Sequence, residues 1–124
     1  LQFIQKQDVN IMGDGLKLQV AFSNIIDNGI KYTEKGKVTV TLFSSDGQAV
    51  VEVEDTGVGI PKEDLKHIFD RFFRIDKARS RDTGGTGLGL SIAHNIILTH
   101  GGNISVESEE GVGTKFTIIL PIGI

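Results

Sequence analysis

Apolar residues recur along the chain first at helical and then at strand spacing. From Asp14, which suits an N-cap, Leu18, Phe22, Ile25 and Gly29 fall on one helical face, with Ile26 and Ile30 beside them. Gly36 after Tyr32-Thr33-Glu34-Lys35 suits the helix stop. VTVTLF (38–43) and AVVEVE (49–54) alternate as strands, and Ser45-Asp46-Gly47 between them is a hairpin signal. Asp64 to Phe69 reads as a short helix. Leu88, Ile92 and Ile96 space a second long helix that ends at His100-Gly101-Gly102. NISVES (103–108) and KFTIIL (115–120) form two more strands around a glycine turn, and residues 1–12 hold a short edge strand. The order helix, hairpin, loop, helix, hairpin predicts an α/β sandwich (α+β) with helices packed on one face of a mainly antiparallel sheet.

Composition narrows this picture. A chain of 124 residues fits one domain with one core. A net charge of −3 gives no support to a nucleic-acid or anionic-membrane role. The absence of cysteine removes disulfides and thiolate metal sites. No apolar run approaches the ~20 residues of a membrane span. The first residue is Leu1, not methionine, and the chain is expected to be part of something longer. The 16 glycines gather at 57–59, 84–89, 101–102 and 111–113, between the periodic segments.

Three stretches could carry chemistry. Asn24, Asn28 and Lys31 share one face of the first helix, and alone they read as its solvent side. Asparagine is nonetheless a poor helix filler, and its side chain offers a neutral oxygen to a hard cation and an amide donor to phosphate. Asp55-Thr56-Gly57-Val58-Gly59 follows a strand directly. Its carboxylate could accept from an exocyclic amine while the glycines admit a flat ring, or the stretch is simply a tight turn. Gly84-Gly85-Thr86-Gly87-Leu88-Gly89 precedes a helix and lacks a P-loop lysine, yet its N–H groups and the helix dipole could hold phosphate. Upstream, Arg71, Arg74, Lys77, Arg79 and Arg81 read as a loop, and Phe69, Phe72 and Phe73 frame its start as core or as a hinge. His67, His94 and His100 read as surface or helix-end residues.

The order of these stretches is more telling than any one of them. Asn24-xxx-Asn28-xx-Lys31-Tyr32, Asp55-x-Gly57-x-Gly59, Phe69-xx-Phe72-Phe73-Arg74, Gly85-x-Gly87-x-Gly89 and Gly111-x-Gly113-Thr114 closely resemble, in order, the N, G1, F, G2 and G3 boxes of the catalytic ATP-binding domain of bacterial sensor histidine kinases. The resemblance runs from about Gly13-Asp14 to Leu120-Pro121. It is strongest toward the phosphate- and cell-wall-regulation kinases of Gram-positive bacteria. It implies the Bergerat ATP-binding fold, with a mixed, mainly antiparallel sheet. By this likeness Asp55 accepts from the adenine amine, and Gly57, Gly59 and Ile60 line the base pocket. Asn28 with Asn24 holds Mg²⁺, Lys31 reaches a phosphate, and Tyr32 stacks near base or sugar. Residues 74–86 form a mobile lid. Phe72, Arg74, Gly85, Thr86, Gly87, Leu88, Gly89 and Thr114 complete the site for ATP or ADP.

Two departures are informative. Related ATPases of this fold carry a water-activating glutamate four residues before the magnesium asparagine; here the position is Asn24, which takes no proton, so ATP is expected to be kept for another acceptor. Gly29 stands where many relatives have alanine, which costs the helix about 1 kcal/mol or else permits close packing. The resemblance also implies partners outside 1–124: a dimerisation domain bearing the phosphoacceptor histidine, and a response regulator. It implies a monomeric isolated domain within a homodimeric parent, a cytoplasmic setting and a membrane-embedded parent. An autonomous ATPase or anti-sigma-type serine kinase, and a nucleotide-sensing module without phosphotransfer, are the competing readings.

Overall fold

The computed structural model describes residues 2–5, 15–31, 33, 36–70 and 89–121, and at 2–5 and Lys31 the backbone alone. Helix α1, Gly15–Lys31, buries the stripe Leu18, Ala21, Ile25 and Gly29, with Phe22 and Ile26 packed at its edge. Ile30 was expected beside that stripe but is 48% exposed, because one residue beyond Gly29 turns the side chain about 100° around the axis. Asn24 and Asn28 flank the stripe on its other side and are half-buried rather than on the solvent face. The helix ends at Lys31, ahead of the stop expected at Gly36, which is a bend leading into β2.

Strands β2 (Val38–Ser45) and β3 (Gln48–Asp55) form a hairpin closed by Asp46-Gly47, both at positive φ as a two-residue turn requires. After β3 the chain enters a 3-10 helix, Lys62–His67, behind Pro61; the expected helix over 64–69 is thus earlier and tighter. Buried Ile60 and Ile68 pin its two ends to the core. Helix α2, Gly89–Thr99, buries Ala93 and Ile97 completely. The expected row Leu88, Ile92, Ile96 is not the inner one: Ile92 is 41% exposed and Ile96 half-buried, and Leu88 lies outside the described residues. Small Ala93 lets α2 lie close to the core, and a pattern that weighs only large residues passes over it. Gly101 N–H donates to Leu98 O and Gly102 N–H to Ile97 O, a Schellman closure at the expected end.

Strands β4 (Asn103–Glu109) and β5 (Gly113–Pro121) complete a five-stranded sheet in the order β1-β2-β3-β5-β4, where β1 is Gln2–Gln5. β1 runs parallel to β2 at the edge, and the other pairings are antiparallel. This is the mixed, mainly antiparallel sheet covered by helices on one face that the sequence predicts. Side chains of successive strand residues alternate between faces, so Val38 and Val40, Ala49, Val51 and Val53, Phe116, Ile118 and Leu120, and Ile104 all enter one core with α1 and α2. Each of the largest fully buried chains, Phe116, Ile25, Ile97, Ile118 and Leu120, contributes roughly 1.5–3 kcal/mol by leaving water.

The inward alternation continues one step past the apolar residues. After Val51 and Val53 comes Asp55; before Phe116 and Ile118 comes Thr114; after Ile104 and Val106 comes Ser108. These three are aligned, Asp55 with Thr114 and Thr114 with Ser108, so the last rung of the helix-facing side is polar.

Candidate functional site

Asp55 ends the central strand β3 and is only 6% exposed. Its Oδ1 accepts from Gly57 N–H at 3.0 Å, an Asx turn that fixes the carboxylate against the start of the following loop. Burial pushes its carboxyl above the ordinary aspartate range, while the Gly57 and Thr114 backbone N–H groups pull the other way. The Thr33 hydroxyl also favours the ionised form, from outside hydrogen-bonding geometry; its Oγ1 is buried and has no partner among the described residues. A Cβ on Gly29 of α1 would lie 3.6 Å from Asp55 Oδ2, so the helix covers the carboxylate at ordinary contact distance.

The loop after Asp55 is held at both ends. Thr56 N–H donates to Lys37 O at 3.1 Å, and Lys37 N–H donates to Thr56 Oγ1 at 3.0 Å. Gly111 N–H donates to Val58 O at 2.9 Å, and Ile60 N–H donates to Ser108 Oγ at 2.7 Å. Gly59 sits at φ 76° and a Cβ there would overlap Glu109 O. Its lack of a side chain therefore serves the packing of the loop on the β4–β5 turn, in line with the tight-turn reading of this stretch. Gly113, at φ 149°, approaches Asp55 O equally closely.

Asn24 reaches the first residue of α2: a Cβ on Gly89 would lie 3.8 Å from its Cβ. The structure thus sets Thr114 opposite Asp55 across β3 and β5, ties Gly57 to the Asp55 carboxylate, lays Gly29, the residue after Asn28, against Asp55, and brings Asn24 to Gly89. Tyr32, Phe72, Arg74, Gly85, Thr86, Gly87 and Leu88, the Lys31 side chain, and the lid expected at 74–86 lie outside the described residues. Among the described residues no group of three His, Cys, Asp or Glu could hold a metal ion.

Thr33 and Ser108 are not among the site residues expected from the sequence. Ser108 was detectable as a polar residue at the inward position after Ile104 and Val106; Thr33 has no such signal. His67, exposed at the end of the 3-10 helix, is the surface residue expected, whereas His94 is half-buried within α2. His67 Nδ1 lies 2.9 Å from Asp70 Oδ2, and His94 stacks on Phe69 with ring centroids 4.6 Å apart. His100 closes α2 as expected, its Nδ1 2.8 Å from Ile96 O.

Comparison with known proteins agrees with this geometry. Residues 13–124 match the family described as histidine kinase-, DNA gyrase B-, and HSP90-like ATPase. The chain is 47% identical over 116 residues to the sensor histidine kinase RppB of Synechocystis sp., covering 93% of this chain and 26% of RppB. It is 44% identical over 118 residues to WalK of Bacillus subtilis, covering 93% of this chain and 19% of WalK. Among solved structures, the mycobacterial sensor histidine kinase MprB superposes with a TM-score of 0.82 at 34% identity, covering 98% of this chain and 83% of that one. Full-length ShkA in complex with AMPPNP does so at 0.81 and 28% identity, covering 98% of this chain and 26% of that one. The chain therefore spans between about a fifth and three tenths of the length of the curated relatives it matches. With its sheet order, its buried strand-end carboxylate and these similarities together, the chain belongs to the histidine kinase-, DNA gyrase B- and HSP90-like ATPase family and carries the Bergerat fold of sensor histidine kinase catalytic domains.

Proposed function

We propose that this chain binds Mg·ATP and donates the γ-phosphoryl group to a histidine of a partner dimerisation domain, which passes it to a response regulator. The single observation that carries the nucleotide reading is Asp55: a buried acceptor at the end of β3, oriented by Gly57 N–H, suits the exocyclic amine of adenine. The relative ShkA, solved with the ATP analogue AMPPNP, supports it.

In this reading Gly57, Gly59 and Ile60 shape the base pocket and Thr114 stands beside Asp55. Lys31 and the amides at Gly87, Leu88 and Gly89 receive phosphates, with Gly85 and Thr86 in the same loop; Tyr32, Phe72 and Arg74 enclose the nucleotide. Asn24 and Asn28 offer two neutral, half-buried oxygen donors and no carboxylate cluster. That set fits Mg²⁺ arriving with triphosphate and water, since two amides alone leave most of its six positions unfilled. Asn24 and Asn28 would hold the ion there, and the chemistry it would supply is neutralisation of phosphate charge. Asn24 takes no proton, so the chain offers no base at the place where a hydrolase of this fold has one, and γ-phosphate is retained for transfer. An autonomous ATPase is disfavoured for the same reason. We place the chain as one part of a longer, homodimeric kinase with a membrane-embedded sensor and this part in the cytoplasm; no helix among the described residues is itself long and apolar enough to cross a membrane.

The test is reconstitution. The chain is mixed with a dimerisation domain carrying the acceptor histidine of a close relative, and transfer from γ-labelled ATP is followed. Label on the histidine, lost with Asn28→Asp in a chain that still folds, is the expected result. A folded, fully active Asn28→Asp variant would refute the role given to Asn28.

A further inference from the structure

The polar rung at the end of the sheet contains a proton-counting constraint. Ser108 Oγ lies 2.7 Å from Ile60 N, 2.9 Å from Gly113 O and 2.8 Å from Thr114 Oγ1. Ile60 N–H can only donate and Gly113 O can only accept. Ser108 owns one hydroxyl proton, and satisfying all three contacts sends it to Gly113 O. The third contact then takes its proton from Thr114. Thr114 Oγ1, buried and aligned with Asp55 on the adjacent strand, is left with lone pairs alone to offer a ligand.

We infer that Ser108 is a positioning residue for base selection: by capturing the Thr114 hydroxyl proton it turns the Asp55–Thr114 rung into an acceptor-only surface, which accepts the two N–H bonds of a 6-amino purine and repels a 6-oxo purine. The inference rests on the proposed nucleotide reading and assigns its base selectivity. Ser108 acts without touching the base. Its contact with Ile60 also ties the loop after Asp55 to the β4–β5 turn, so the acceptors keep a fixed spacing. Asp55 accepts whenever it is ionised, whereas a threonine hydroxyl free to rotate could donate to an oxo group.

The experiment is calorimetric titration of the chain with ATP and with inosine 5′-triphosphate, which carries an oxo group in place of the amine. The unaltered chain is expected to prefer ATP. In Ser108→Ala the ATP-to-ITP affinity ratio should fall about tenfold, and in Ser108→Thr, which keeps the hydroxyl, it should stay within about twofold. A purely structural role for Ser108 would lower the thermal midpoint and weaken both nucleotides equally. An unchanged ratio in folded Ser108→Ala therefore overturns the inference. Should Ser108→Ala fail to fold, Thr114→Val decides: it removes the acceptor while leaving the Ile60 and Gly113 contacts of Ser108. A lower ratio supports the inference and an unchanged ratio overturns it. Failure of the unaltered chain to bind either nucleotide would instead overturn the nucleotide reading on which this rests.

Discussion

Asp55 is held in a way that costs the empty protein stability. Burial raises its carboxyl above the ordinary range, so the folded chain binds that proton more tightly than the unfolded chain does. The ionised form therefore weighs against folding at neutral pH, and the cost is relieved as pH falls through the raised value toward the ordinary aspartate range. Asp55→Asn is expected to raise the thermal midpoint of the nucleotide-free chain at pH 7, with the gain shrinking on acidification; melting curves against pH check this. The same substitution should weaken ATP binding by on the order of 10- to 100-fold, the worth of a charge-assisted hydrogen bond. Gly29 lies beside this carboxylate and has a different lesson. A Cβ there would meet Val38 and Asp55 at 3.5–3.8 Å, ordinary contact distances, so close packing does not require glycine. Gly29→Ala should therefore stabilise the chain by about 0.5–1 kcal/mol through helix propensity, read as a higher denaturant midpoint with an unchanged slope.

The elements meet at the polar end through one loop, and its anchorage to the β4–β5 turn is the weak point. Gly59→Ala would force a positive-φ alanine into Glu109 O, and we expect a loss of roughly 2–3 kcal/mol, measured by urea unfolding. Most elements were legible because their periods are clean: VTVTLF and AVVEVE alternate strictly and flank a two-residue turn. The inner row of α2 was not, since tightly packed Ala93 carries little hydrophobic signal while exposed Ile92 carries much. Asp55, Asn24 and Asn28 were legible as site candidates because each breaks its local pattern, a carboxylate at a strand end and amides in mid-helix. Ser108 shows in the sequence only as a polar residue at an inward strand position, because its meaning lies in contacts with Ile60 of a distant loop and with Gly113 and Thr114 across the turn. Thr33 was hidden because the chain fold, not local spacing, brings it to Asp55.

At the scale of the molecule, one sheet face and the two α-helices of the described residues share a core that ends in the polar rung Asp55, Thr114 and Ser108. The core supports the site directly: Ile25 and Ile97 from the two helices and Phe116 from β5 are all fully buried within it. Ile97→Ala should cost about 2–5 kcal/mol and bring local loosening between α2 and the sheet, seen as faster amide exchange along α2. In the proposed reading Asp55 is the acceptor for a base, Asn24 and Asn28 are neutral donors for a metal with its phosphates, and Asn24 stands where a hydrolase of this fold has its base. That division suits a protein that holds ATP for a reaction completed by another domain. The most direct test is calorimetric titration of the chain with ATP, with and without Mg²⁺, alongside Asp55→Asn and with phosphate release followed in the same samples. Saturable binding that Asp55→Asn weakens by on the order of 10- to 100-fold, without appreciable hydrolysis, is the predicted result. Absence of binding, or steady ATP turnover by the chain alone, would contradict it.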